Sequence, residues 1–151
     1  MYSVCVFEYI GYTDGGVRGG NPGVAGWGYY LLHNGEEIAR DCAVIPAKRS
    51  NNYAEYAALY KLLDRLRQEK ITGAQINCDS QLVVKQVNGI WSVNCDEIRA
   101  LWLITSSLKH SLGVTLNWVP REKNTLADKI VETMLDKHTG VNRNGKKVRN
   151  N

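Results

Sequence analysis

No apolar run in this 151-residue chain approaches the roughly 20 residues that cross a bilayer, so an integral membrane protein is not expected. The opening residues MYSVCVFEYIG lack a basic leader, and Glu8 breaks their apolar stretch, so no secretory signal is expected either. There is no Cys-x-x-Cys pair: Cys5, Cys42, Cys78 and Cys95 stand far apart, which argues against a zinc site or a thioredoxin-like centre. All four sit in mainly apolar sequence, where cysteine is expected to act as a small buried hydrophobe. Free thiols without an export signal point to a reducing cytoplasm. Repeats, low-complexity tracts and Pro/Ser-rich linkers are also missing, so one domain is expected. With 44 % hydrophobic and 23 % charged residues the composition is that of a folded globule.

The net charge of +4 is localised. The last 14 residues, His138 to Asn151, hold Arg143, Lys146, Lys147 and Arg149 and no acid, so the preceding 137 residues carry 15 basic and 15 acidic side chains. This divides the chain into a neutral body, 1–137, and a basic tail, 138–151, read either as a solvated end or as a tether to phosphate backbones.

The body changes period along its length. Ser3 to Tyr12 reads as a strand ending at the turn cluster Asp14-Gly15-Gly16, and the six glycines between Gly15 and Gly26 read as a long loop. Ala25 to His33 and Glu37 to Val44 flank Asn34-Gly35, a strong hairpin signal. Asn52 to Glu69 has helical spacing of Ala54, Ala58, Leu59, Leu62, Leu63 and Leu66, with Ser50 or Asn51 as cap and Gly73 beyond the end. A short strand over 74–78, a helical stretch over 82–87, a helix over 96–112, a strand over 114–119 and a last helix after Pro120 complete the order β-β-β-α-β-α-α-β-α. That order implies a three-layer α/β domain on a mixed sheet.

Four acids fall near element ends: Asp14 where the first strand gives way to the glycine loop, Glu55 and Asp128 in the first turns of their helices, and Asp79 directly after the fourth strand. Each has an ordinary alternative as a turn residue, a cap or a helix-dipole partner. Jointly they suggest a carboxylate cluster, costly unless a cation sits within it, and hard oxygen donors suit magnesium or manganese. Two such ions about 4 Å apart would clamp the attacking and leaving oxygens of a phosphodiester displacement.

The blocks YTDGGVRGGNPGVAGWG, SNNYAEYAAL, CDSQLVV and WVPREKNTLAD, in this order and covering most of the chain from Tyr2 to Lys137, resemble type 1 ribonuclease H. The resemblance implies a five-stranded mixed sheet, a three-strand antiparallel meander plus two parallel strands, flanked by helices. It implies a metal-dependent endonuclease that hydrolyses the RNA strand of RNA–DNA hybrids to 5′-phosphate and 3′-hydroxyl ends. Asp14, Glu55, Asp79 and Asp128 match the family's catalytic, metal-binding carboxylates, holding two Mg²⁺ ions for which Mn²⁺ substitutes. Asn21, Asn51, Asn52 and Gln81 match positions that approach the hybrid's minor groove, where 2′-hydroxyls distinguish RNA from DNA, and Gly15 is expected to let backbone come close to the ribose-phosphate chain. Ser50 stands where a threonine often touches a DNA-strand phosphate. A monomer is expected, with no membrane partner.

The chain departs from many members in two respects. The loop Pro120-Arg121-Glu122-Lys123 has no histidine, leaving Arg121 or Lys123 to face the phosphate, and the Lys/Arg-rich protrusion is missing between Asp79 and Leu101. Trp91, in that short connection, either stacks on a DNA sugar or packs under the loop. Two other classes stay open: a silent hybrid-binding module, and a resolvase- or integrase-type nuclease on the same sheet.

Overall fold

The computed structural model describes residues 7–149; Cys5 and the start of the first expected strand lie outside them. The sheet is ordered β3-β2-β1-β4-β5. Its strands are β1 (Tyr9–Arg18), β2 (Val24–His33), β3 (Glu36–Val44), β4 (Gln75–Cys78) and β5 (Thr115–Trp118). β1, β2 and β3 are antiparallel neighbours, whereas β4 pairs parallel with β1 and with β5. The helices are α1 (Asn51–Gln68), α2 (Gln81–Val87), α3 (Asp96–Ser111) and α4 (Thr125–Thr139), with one 3₁₀ turn over Arg121–Lys123. The three-layer mixed α/β architecture is as expected. No helix among the described residues is long and apolar enough to cross a membrane.

Two sides of the sheet are covered differently. α1 lies across β1 and β2 and packs on α3, and its stripe Leu59, Leu62, Leu63 and Leu66 is fully buried with Leu31, Ile76 and Val83. α4 covers the other side of β1 and β2. Ser50 caps α1 by accepting the Tyr53 amide at 3.1 Å, and Ser80 caps α2 by accepting the Val83 amide at 3.2 Å; each satisfies one of the orphan donors of a helix start.

Three expectations need correction. Asp14-Gly15-Gly16 is not a turn: β1 continues to Arg18, paired with Val24–Gly28 of β2, and the glycine loop shrinks to 19–23. Glu55 lies in the second turn of α1, not the first. The cysteines differ among themselves: Cys78 is buried, Cys42 half-buried and Cys95 exposed, all as free thiols.

The tail is also structured. Gly140 ends α4 in the left-handed conformation (φ 74°) and donates to Asp136 O, which turns the chain back. A small hairpin follows, with Val141 bridged to Lys147, Asn142 N donating to Lys146 O at 2.7 Å and Val148 N to Gly140 O at 3.0 Å. Residues 138–149 are therefore neither a frayed end nor a free tether: α4 runs through His138, and the hairpin folds onto it.

Candidate metal centre

β1 outruns β4. Thr13 pairs with Cys78, where β4 ends, so Asp14, the next residue of β1, stands beside Asp79, the residue that follows β4. Asp14 is paired with Gly28 and shares its face of the sheet, the face on which Val131 of α4 would meet a Gly28 side chain. Gly15 points the other way, and the α1 backbone comes so close that a methyl group there would lie 2.4 Å from Ala54 C and Glu55 N. This approach delivers Glu55, whose Oε1 accepts the Gly15 amide at 2.7 Å. Trp118 Nε1 donates to Asp79 O at 3.1 Å and steadies the third acid. Asn124 Nδ2 donates to Thr13 O at 2.9 Å and ties the start of α4 to β1.

One carboxylate oxygen from each of Asp14, Glu55 and Asp79 lies within 4.8 Å of the others. Asp14 and Glu55 are buried and Asp79 is half-buried. Burial pushes the Asp14 carboxyl above its ordinary range, and the charges of Glu55, Asp79 and Asp128 push it further. Glu55 is raised chiefly by burial, as is Asp79. Such a trio of oxygen donors fits a hard divalent cation, which would offset both the desolvation and the mutual repulsion.

Asp128 stands apart from this trio. It lies in the first turn of α4, lines the same cleft of about 450 Å³, and accepts Arg143 Nη2 at 2.9 Å. Arg121 is exposed and lines the cleft, where its charge favours ionised Asp79.

Of the expected nucleic-acid positions, Gly15, Asn51 and Arg121 line the cleft. The Asn21 side chain accepts the Asn51 amide at 3.0 Å, linking the glycine loop to α1. Asn52 and Gln81 are exposed, Asn52 beside a second depression shared with Ser50. The Ser50 amide and hydroxyl both donate to Glu97 Oε1 at 3.2 Å. The Gly15 amide is committed to Glu55. Trp91 is 42 % exposed and carries the Lys85 ammonium 4.7 Å over its ring, so it does not pack under the loop.

Residues 13–134 match the family model described as "Reverse transcriptase-like". RNase H1 from Halobacterium salinarum superposes with a TM-score of 0.80 at 32 % identity, covering 85 % of this chain and 98 % of that one. The chain belongs to the ribonuclease H family. LC11-RNase H1, isolated from compost and solved with an RNA/DNA hybrid, superposes with a TM-score of 0.79 at 32 % identity, covering 87 % of this chain and 99 % of that one. A bifunctional protein of Mycobacterium tuberculosis is 34 % identical over 127 residues, which are 82 % of this chain. This ribonuclease H chain spans about a third of that relative's length (34 %).

Sequence reasoning missed three members of the site. Arg18 is only 4 % exposed and pairs with Glu132 and Asp136, and Arg143 bonds Glu132 as well as Asp128. Burial opposes ionisation of Glu132, but the Arg143 and Arg18 guanidiniums hold its carboxyl below the ordinary value. The one available signal was the i, i+4 spacing of Asp128, Glu132 and Asp136, which puts three acids on one helix face.

Proposed function

We propose that this chain is a divalent-metal-dependent endonuclease that hydrolyses the RNA strand of RNA–DNA hybrids to 5′-phosphate and 3′-hydroxyl products. The observation that carries this reading is the convergence of Asp14, Glu55 and Asp79 where β4 ends against the parallel β1, in a chain whose relatives are named ribonuclease H. Asp14, Glu55 and Asp79 would hold a divalent cation, with Asp128 completing the site for a second. When bound, two Mg²⁺ ions (or Mn²⁺) supply the charge that acidifies an attacking water and offsets the negative charge on the departing 3′ oxygen.

The chain's own residues supply position. The Gly15 amide fixes the Glu55 rotamer, the Trp118 indole fixes the Asp79 backbone, and Arg121 puts a positive charge at the cleft's edge for the scissile phosphate. The amides of Asn21, Asn51, Asn52 and Gln81 offer donors and acceptors to 2′-hydroxyls and minor-groove base edges, with Ser50 toward a phosphate of the DNA strand. The hybrid complex of LC11-RNase H1 supports hybrid as the substrate class. All four acids come from one chain, which supports a monomer as the acting unit over the domain 1–137. The free thiols of Cys42, Cys78 and Cys95 favour a cytoplasmic setting.

The test is cleavage of end-labelled hybrid, double-stranded DNA and double-stranded RNA, each with and without Mg²⁺. The expected result is endonucleolytic cutting of the RNA strand in the hybrid, dependent on Mg²⁺. Binding of hybrid without any cutting would favour a silent module, and preferential cutting of duplex DNA would favour a resolvase-type enzyme; either overturns the reading.

A further inference from the structure

We infer that Arg143, presented by the C-terminal hairpin, is a positioning residue that competes with a divalent ion for Asp128. The inference rests on the reading of Asp128 as an ion ligand. Its observations lie in the hairpin itself, which that reading does not use.

The hairpin is built to hold Arg143 in place. Beyond its backbone bonds, the Asn142 side chain accepts the amides of Asn144 at 2.9 Å and Lys146 at 3.0 Å. Thr139 Oγ1 donates to Leu135 O at 2.8 Å and anchors the turn to the last residues of α4. From this platform Arg143 reaches back along α4 to bond Asp128 Oδ1 at 2.9 Å, and its Nε bonds Glu132 Oε2 at 3.1 Å. Asp128 and Glu132, one helical turn apart, thus share one guanidinium.

The contact is the end of a longer chain of alternating charge. Asp136 and Glu132 both bond the buried Arg18 of β1, Glu132 bonds Arg143, and Arg143 bonds Asp128. Arg18 is fixed in the interior, so Glu132 is fixed by it, and Arg143 is held from that side as well as by its own hairpin.

An Asp128 oxygen engaged by a guanidinium is less available to a divalent ion, and the two cations repel at this range. Ion binding on the Asp128 side therefore requires Arg143 to move off or to share the carboxylate. By linkage the effect is reciprocal: whatever holds the hairpin down weakens the ion, and the ion loosens the hairpin. Arg143 is 46 % exposed and Asp128 26 %, so the solvent-screened pair is expected to change affinity by only about three- to five-fold.

The experiment is a calorimetric titration of Mn²⁺ into the full chain without nucleic acid, for the wild type, Arg143→Ala, Arg143→Lys and Asp128→Asn. The expected result is that Arg143→Ala binds the ion on the Asp128 side about three- to five-fold more tightly than wild type, and that Arg143→Lys falls between them. An Arg143→Ala isotherm that overlays the wild type, while Asp128→Asn weakens binding, overturns the competition and leaves the ligand reading intact. If Asp128→Asn also overlays the wild type, Asp128 is no ion ligand and both statements fail.

Discussion

Asp14→Asn and Asp79→Asn each lose turnover of hybrid by at least about a thousandfold while the fold survives. Asp14 touches most of the site: it is buried, and Glu55, Asp79 and Asp128 all act on its ionisation. Replacing its carboxylate by an amide removes both a formal charge and a hard ligand from the place where charge develops during the displacement, and the loss of even one preorganised electrostatic contact costs on the order of 10²–10³ in rate. The same substitution has the opposite sign on stability. The folded chain retains protons on Asp14 and Glu55 that the unfolded chain gives up above about pH 4, because burial and repulsion raise both carboxyls. Stability in chelator-treated buffer therefore falls as the pH climbs from about 5 to 8. Asp14→Asn flattens that slope and melts higher than wild type at pH 8. Added Mg²⁺ stabilises the wild type by mass action and the variant much less. Calorimetric melting at several pH values, with and without Mg²⁺, reads all three effects; full turnover in either variant would contradict the assignment of these acids.

Gly15→Ala is the most damaging small substitution in the sheet. Its methyl group would sit 2.4 Å from Ala54 C and Glu55 N and 2.6 Å from Ala54 O, and all three atoms are backbone in the first turns of α1, where its buried face begins. Neither β1, paired with β2 at Gly15 and with β4 up to Thr13, nor α1 can give way without disturbing the core. The expected cost is about 3 kcal/mol, a fall in melting temperature of roughly 6–12 °C. Pushing α1 outward also lengthens the 2.7 Å contact between the Gly15 amide and Glu55, and a displacement of about 1 Å at a reacting centre costs on the order of 100-fold in rate. Gly16→Ala is the control: its new methyl would meet side chains alone, Leu135 and Val131 at 3.3 Å and Glu132 Oε1 at 3.7 Å, which can shift. A Gly15→Ala variant as stable as Gly16→Ala would show that α1 does not pack on β1 as described.

Much of this was readable in the sequence for local reasons. The stripe of α1, the Asn34-Gly35 hairpin and the alternation of β2 are properties of neighbouring residues, and each element appears within a residue or two of its expected bounds. Gly15 and Gly16 misled for a physical reason. Glycine signals a turn by its conformational freedom, but Gly15 is needed here for its missing side chain, so β1 runs straight through to Arg18. That shift matters, since it places Asp14 within a paired strand, on a rigid support, rather than in a loop.

What stayed hidden depends on partners distant in the chain. Nothing near Arg18 announces that it is buried, since its carboxylates lie 114 and 118 residues away. The tail read as basic and unattached because a charge count cannot see that Arg143 meets Asp128 and Glu132. Ser50 donates to Glu97 on α3, a neighbour that only the packing of α3 against α1 brings near. The carboxylate trio was legible because parallel pairing of β1 with β4 sets Asp14, within β1, beside Asp79, the residue that follows β4.

The most direct test is diffraction from crystals equilibrated with Mn²⁺, recorded at the manganese absorption edge. The account predicts an anomalous peak enclosed by Asp14, Glu55 and Asp79. Manganese bound only elsewhere on the surface, or no peak there at saturating Mn²⁺, would contradict it.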